Sequence, residues 1–375
     1  MANPSGSRLH LADMVYTLIW GARIGLFAFL AFATTHSALA CGICIEKPEK
    51  TISDRLLNAD TVVIALEDRE QPYSFTAVSY LVGAAHDAPI PYLVDSATGK
   101  RLDRNPADGV LMLRKGDAWT RAGYANAEWQ RTAAQVLEHR ALWQYDPKAR
   151  FTFFEALLHD SDPFLHHLAI DELSRASYDL IRGMAQPIEG AVARQSLTDR
   201  TKIPWQSFYI LMLGLSDRDE DHALVRERIS RVTGFGNTDQ LEAWATALVE
   251  IDGTEGIKQL VNNWLAAPHR SPQELRAIVA AVTVHAKHGD PSLREPVLSV
   301  LATLAQTRSD VVGTVAVAFE RIGDFSRAET IRNAVQGVGT NQAQRIEASE
   351  LFAASSYIYR SQQVGMAKLD PLLEN

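Results

Sequence analysis

The chain has 375 residues, 46% of them hydrophobic, with 37 lysines and arginines against 45 aspartates and glutamates and a formal net charge of −8. That length supports two domains and a sizeable buried core, and a mildly acidic balance without basic runs argues against nucleic acid as a partner and against a polybasic membrane footprint. Two cysteines in so long a chain exclude a disulfide framework; they allow one Cys41–Cys44 bridge, whose short loop adds little entropic stabilisation.

Residues 14–40 carry the three parts of a secretory signal. Arg23 is the positive flank, Ile24–Ala33 the apolar core, and Ala38-Leu39-Ala40 the small-x-small step that a signal peptidase accepts. The apolar run from Val15 to Ala33 approaches spanning length, but Arg23 interrupts it. The reading is therefore a cleaved signal over 1–40, with Met14 as an alternative start and Cys41 as the first mature residue. Ser37-Ala38-Leu39-Ala40-Cys41 also resembles a bacterial lipobox, with Ala38 where leucine is usual. That resemblance implies a diacylated Cys41 and an anchored protein. Either way the expected location is exported, periplasmic or envelope-associated, with membrane contact only through a lipidated Cys41.

A short helix is predicted over Ile52–Asn58, followed by strands at Thr61–Leu66, Tyr73–Val82, Ile90–Val94 and Val110–Leu113. Gly83, Asp95, Gly99, Asp103, Asn105, Pro106 and Gly109 supply the turns between them. Four or five short strands fit a small antiparallel barrel or sandwich, assigned to residues 41–125.

From about Ala125 the period changes from two to 3.6. Helices are predicted at Trp129–Leu142, Phe151–Leu158, Phe164–Leu173, Ser207–Leu215, Pro272–Ala286 and Pro291–Ala305. Asp162-Pro163, Ser271-Pro272 and Asp290-Pro291 each place an N-cap side chain before a proline at the first helical position. The side chain accepts from a free helix N–H, and the proline lacks the donor that would be orphaned. Ala247–Gly253 can be laid over Ala318–Asp324, an offset of two units the size of a helical hairpin. Ile322-Gly323-Asp324-Phe325-Ser326-Arg327-Ala328 resembles the turn between tetratricopeptide helices, and Asp160-Ser161-Asp162-Pro163 with Ala169 and Leu173 resembles a HEAT unit. The resemblance implies an α-solenoid over 126–365, before a C-terminal tail at 366–375. The fold class is then α+β: a β-barrel or sandwich followed by an all-α repeat.

The residues that bear on chemistry are few. Cys41-x-x-Cys44 sits at a chain end without a preceding strand, and Ile45-Glu46-Lys47-Pro48 delays any helix that would stabilise a thiolate. Lipidation, a structural disulfide or a redox dithiol at Cys41 and Cys44 all remain open. Cys41 with the Ala59–Ala65 and Tyr73–Val82 strands is similar to the opening of netrin-type modules and tissue inhibitors of metalloproteinases. Those modules have Cys-x-Cys with distant cysteine partners, which this chain lacks; the likeness implies an OB-like barrel. His159, His166, His167 and Asp171 form one loose group and His285 with His288 another, read as surface histidines because no motif completes a metal set. Gly234-Phe235-Gly236 and Gly337-Val338-Gly339 read as inter-helix loops rather than phosphate cradles, and no G-x-S-x-G elbow is present. Trp119, Tyr124 and Trp129 are expected to form a seam joining the two domains, with Trp244 and Trp264 in the helical core. The functional expectation is a non-enzymatic interaction or scaffold protein with no cofactor, no bound metal and a protein partner on the repeat surface. The alternatives are a thiol–disulfide protein and a β-domain that regulates a secreted enzyme.

Overall fold

The structure is a computed structural model and describes residues 49–68, 70–71, 73–84, 90–231, 240–337 and 346–373, with side chains as far as 365. The signal, Cys41 and Cys44 lie outside the described residues.

A short helix, α1 (Ile52–Asn58), opens the described chain. Thr51 Oγ1 accepts from the Asp54 N–H at 3.0 Å while Asp54 accepts from the Thr51 N–H, a reciprocal capping box that fixes so short a helix. Five strands follow: β1 (Thr61–Glu67), β2 (Ser74–Val82), β3 (Ile90–Leu93), β4 (Gly109–Lys115) and β5 (Ala118–Ala125). A helix, α2 (Ser96–Arg104), lies between β3 and β4. All pairings are antiparallel in the order β3-β2-β1-β4-β5, and β3 approaches β5, so the sheet is nearly closed and barrel-like.

Alternation along the central strands sorts their side chains. Val62 and Ile64 of β1, with Leu111 and Leu113 of β4, join the core shared with the helices. Val63 and Ala65, with Val110 and Met112, face the barrel interior beside Phe75, Ile90 and Leu102. Both faces are buried, and for that reason these strands read as continuous apolar runs. The sequence predicts turns where helix α2 forms, because Gly99 and Asp103 within it and Asn105 at its C-cap are turn formers. The N-cap Asp95, which accepts from the Thr98 N–H at 2.8 Å, and Leu102 inserted into the barrel override those propensities. The predicted aromatic seam divides. Trp129 packs on Phe164 with ring centroids 5.0 Å apart in the shared core, whereas Trp119 and Tyr124 pack against the barrel interior.

Helices α3 (Ala127–Glu138), α4 (Arg140–Trp143), α5 (Pro147–Ala156), α6 (Pro163–Leu173) and α7 (Tyr178–Arg182) come next. After them come α8 (Gly190–Thr198), α9 (Gln206–Gly214), α10 (Asp219–Arg231) and α11 (Leu241–Leu260). The series ends with α12 (Pro272–His288), α13 (Arg294–Thr307), α14 (Val312–Ile322), α15 (Ala328–Val335) and α16 (Ala348–Leu373). The single predicted helix Trp129–Leu142 is broken at His139 into α3 and α4.

The three predicted Asx/Ser-Pro caps form. Asp162 accepts from the Phe164 and Leu165 N–H groups, Ser271 builds a capping box with Glu274, and Asp290 accepts from Ser292 at 2.8 Å. Asp146-Pro147 uses the same device at α5. From α9 onward each helix packs on its neighbour and often on the next but one: α9 on α11, α11 on α12, α12 on α14 and α14 on α16, with α13 and α15 as a second row.

The internal similarity corresponds to one local structure. Gly253 (φ 53°) breaks α11 and Gly323 (φ 79°) ends α14, so each marks a helix–turn–helix reversal in a region of φ that favours glycine. After Gly253 the chain folds back so closely that a Cβ on Gly256 would stand 2.9 Å from the Leu248 carbonyl oxygen. Trp244 and Trp264 are buried in the shared core, as their stripe positions predict.

Candidate functional site

Two grooves flank α12. The first, about 300 Å³, lies among α7, α9, α11 and α12; Tyr178, Phe208, Leu211, Ala243, Thr246 and Val284 line it, with Glu242 on its wall. The second, also about 300 Å³, lies among α12, α14 and α16; Arg276, Ala280, Thr283, Thr314, Val317 and Arg321 are on its surface. Ala243 in the first groove and Ala280 and Ala353 in the second are small side chains on the groove walls.

The charges at the second groove are unequally satisfied. Arg276 donates to Glu350 from Nε at 3.2 Å and from a terminal nitrogen at 3.1 Å. Glu350 also accepts from the Thr314 N–H and hydroxyl, both at 2.7 Å, so this buried carboxylate ties α12 to α14 and α16. Among the described residues Arg321 makes no direct ion pair. Glu242, in the first groove, has its carboxyl pKa raised by desolvation on the crowded groove wall, partly offset by the field of Arg321. The two grooves therefore share a helix and an electrostatic link across it.

At the end of the first groove Glu250 gathers a titratable cluster. It accepts from the Tyr178 hydroxyl and, at 2.9 and 3.0 Å, from Arg182 Nε. Burial, then the Glu250 charge, pushes the Tyr178 hydroxyl pKa far up, which keeps it neutral and donating. His285 lies edge-on to Tyr178, with ring centroids 5.2 Å apart, and its Nδ1 is 3.8 Å from Glu250. Its Nε2 is 2.9 Å from the Thr246 carbonyl oxygen, which requires the proton on Nε2. Burial lowers the His285 pKa and holds the ring neutral. A neutral tyrosine and a locked arginine leave no activated nucleophile, so the cluster braces α7 against α11 and α12.

His285 thus corrects the surface reading of the histidines: it is 1% exposed and is a core residue. His288 is half-buried, 4.0 Å from Asp179. His159 is exposed and meets the Gln186 carbonyl at 3.0 Å; His166 is half-buried against the Leu158 carbonyl. His167 is exposed, with its ring edge-on to Trp205, whose indole N–H donates to Asp171 at 3.0 Å. Among the described residues no group of three His, Cys, Asp or Glu side chains could hold a metal ion. Gly234-Phe235-Gly236 lies outside the described residues, as does Val338-Gly339. Sequence reasoning missed the Glu250 and Glu350 hubs because their tyrosine and arginine partners are 68 to 74 positions away and belong to no motif.

Comparison with protein-family models, curated proteins and solved structures finds no match to this chain. Among the described residues no helix is long and apolar enough to cross a membrane.

Proposed function

We propose that the chain is an exported protein-interaction module of the bacterial envelope: an OB-like barrel joined to a solenoid of helical pairs that holds a partner polypeptide along the grooves flanking α12. The carrying observation is the pair of grooves itself, with Glu242 on the wall of the first and Arg321, which makes no direct ion pair among the described residues, on the second. Extended grooves between stacked helices are the surfaces that helical-repeat proteins use for binding.

The finer fold reading has its own support. Taken around the nearly closed sheet, the strands run β1-β2-β3-β5-β4, and the helix between β3 and β4 inserts Leu102 into the barrel, an arrangement similar to OB folds. The paired reversals at Gly253 and Gly323 support stacked helical hairpins. The secretory signal over 1–40 supports export.

A test is binding of the purified protein to tiled peptides from envelope proteins of its host. Ala280→Trp fills the second groove from a half-buried position and should weaken peptide binding about tenfold or more while the melting temperature is retained. Binding that Ala280→Trp and Arg321→Glu leave unchanged would count against the groove, and turnover of a substrate in a hydrolase or redox screen would overturn the non-enzymatic reading.

A further inference from the structure

A separate cleft of about 280 Å³ lies between α10 and the chain that follows the break in α11 at Gly253. That volume is at the small end of the range for ligand sites. Arg226 and Ser230 of α10 line it, with Gln259, Asn263, Trp264 and Arg270 from beyond the break, and no carboxylate does. The buried Leu248 and Leu260 add carbon to the lining. Here α11 ends in a π-helical turn, Val261–Leu265, whose carbonyl at Val261 accepts from the Ala266 N–H at 2.8 Å. Such turns frequently mark functional sites, and this one carries Asn263 and Trp264.

Both arginines are anchored and keep donors to spare. Arg226 grips Asp252 through Nε and Nη2 at 2.6 to 3.2 Å, and its Nη1 has no partner among the described residues. Arg270 stands over the Trp264 ring, its guanidinium carbon 3.6 Å from the centroid. Its Nε donates to the Asn263 carbonyl at 3.2 Å and its Nη1 to Glu274 at 3.0 Å, which leaves Nη2 without a partner among the described residues.

Trp264 is 3% exposed, and its indole N–H has no acceptor among the described residues. Unlike the indole nitrogens of Trp129 and Trp143, it is not sealed from solvent. The Gln259 and Asn263 carboxamides are also without a partner among the described residues. Asp252 and Glu274 balance the charge of the two arginines from outside the lining. The cleft therefore offers directed donors without excess positive charge. Such a set suits one negative charge shared by two oxygens, whereas a dianion would need more cation than is present.

We propose that this cleft binds a small carboxylate with an amide beside it, the chemistry of an N-acyl amino acid or of a peptide C-terminus. The carboxylate accepts from Arg270 Nη2 and the Trp264 indole N–H, with Arg226 Nη1 at the exposed rim. The carboxamides of Gln259 and Asn263 exchange hydrogen bonds with the amide. An ammonium ion is disfavoured because the lining holds no carboxylate to receive it. This site uses none of the residues at the grooves flanking α12, so it stands or falls independently of that reading.

The test is calorimetric titration of the full chain with N-acetylalanine, N-acetylalaninamide, propionate and inorganic phosphate. The expected order places N-acetylalanine first, with about tenfold losses on removing the charge or the amide, and phosphate last. Trp264→Phe should weaken N-acetylalanine binding by about tenfold and Arg226→Gln and Gln259→Leu by about threefold each, while Arg321→Ala leaves it unchanged. The Trp264 indole N–H resonance should move on binding. Should Trp264→Phe fail to fold, the exposed Arg226→Gln, Gln259→Leu and the indole shift still decide the matter. One further probe separates the sources: an acetylated tetra-alanine with a free carboxylate that binds as well as N-acetylalanine assigns the site to peptide C-termini, and N-acetylalanine alone assigns it to a free small molecule. No binding at millimolar concentration, equal or tighter binding of N-acetylalaninamide or phosphate, or affinity unaltered in both Arg226→Gln and Gln259→Leu overturns the proposal.

Discussion

In the barrel, β1 and β4 are buried on both faces and held by strand register, whereas the helices of the array are held by packing on the next helix and on the next but one. A residue such as Leu111 belongs at once to a strand register and to the core shared with α1 and α3, so damage there cannot stay local. A residue such as Leu301 is buried on α13, which packs on α12, α14 and α15. The barrel is therefore expected to behave as one cooperative unit, and the array, if it is a stack of helical pairs, as a chain of neighbour contacts.

The largest expected effect tests that contrast directly. Leu111→Ala should cost about 2–5 kcal/mol and raise hydrogen exchange in β1, β4 and α3 together. Leu301→Ala, also fully buried, should cost a similar amount with faster exchange confined to α12–α15. Equal spread of exchange in the two variants would remove the distinction.

Next comes the joint between the regions. Arg150→Met deletes the one direct counter-charge that the buried Glu172 has among the described residues and should lower stability by about 3 kcal/mol in urea unfolding. Arg150→Met with Glu172→Met should recover much of that loss, because two apolar groups replace an ion pair.

Within the array, helix spacing is the sharper variable. A Cβ on Gly214 would stand 2.8 Å from the Ala247 Cα, so Gly214→Val should force α9 from α11 at a cost of about 1–3 kcal/mol. Asp162→Ala removes the cap of α6 and should cost about 1 kcal/mol.

The smallest effect is a pH slope. His285 has a folded-state pKa below its ordinary value of 6.5 because burial disfavours the imidazolium. The unfolded chain then binds the proton first on acidification. Stability from this residue is held above about pH 6.5 and lost as pH falls through the folded pKa. His285→Gln should flatten the fall in melting temperature on the acid side, while an unchanged slope would assign it to other groups.

The barrel was legible in sequence where physics is local. The run Thr61–Leu66 and the caps at Asp162, Ser271 and Asp290 follow from side-chain type and spacing alone. Helix α2 was hidden because tertiary insertion of Leu102 outweighs its turn-forming residues. Gly253 and Gly323, both at positive φ, fall one position apart when Ala247–Gly253 is laid over Ala318–Asp324, so the overlay finds two helix ends rather than matched glycines. The sites were not visible. Glu250, Glu350 and Glu172 are ordinary surface-type residues in the sequence, and only folding buries them against arginines from other helices. His285 shows the same gap: its stripe position points into the core, yet residue type alone argued for the surface.

The most direct test of the account is hydrogen exchange of the protein with a bound envelope peptide. Slower exchange in α12 around Arg276–Thr283 and in α14 around Thr314–Arg321, with the barrel unchanged, is the predicted result. Protection confined to the barrel, with none on α12 and α14, would contradict it.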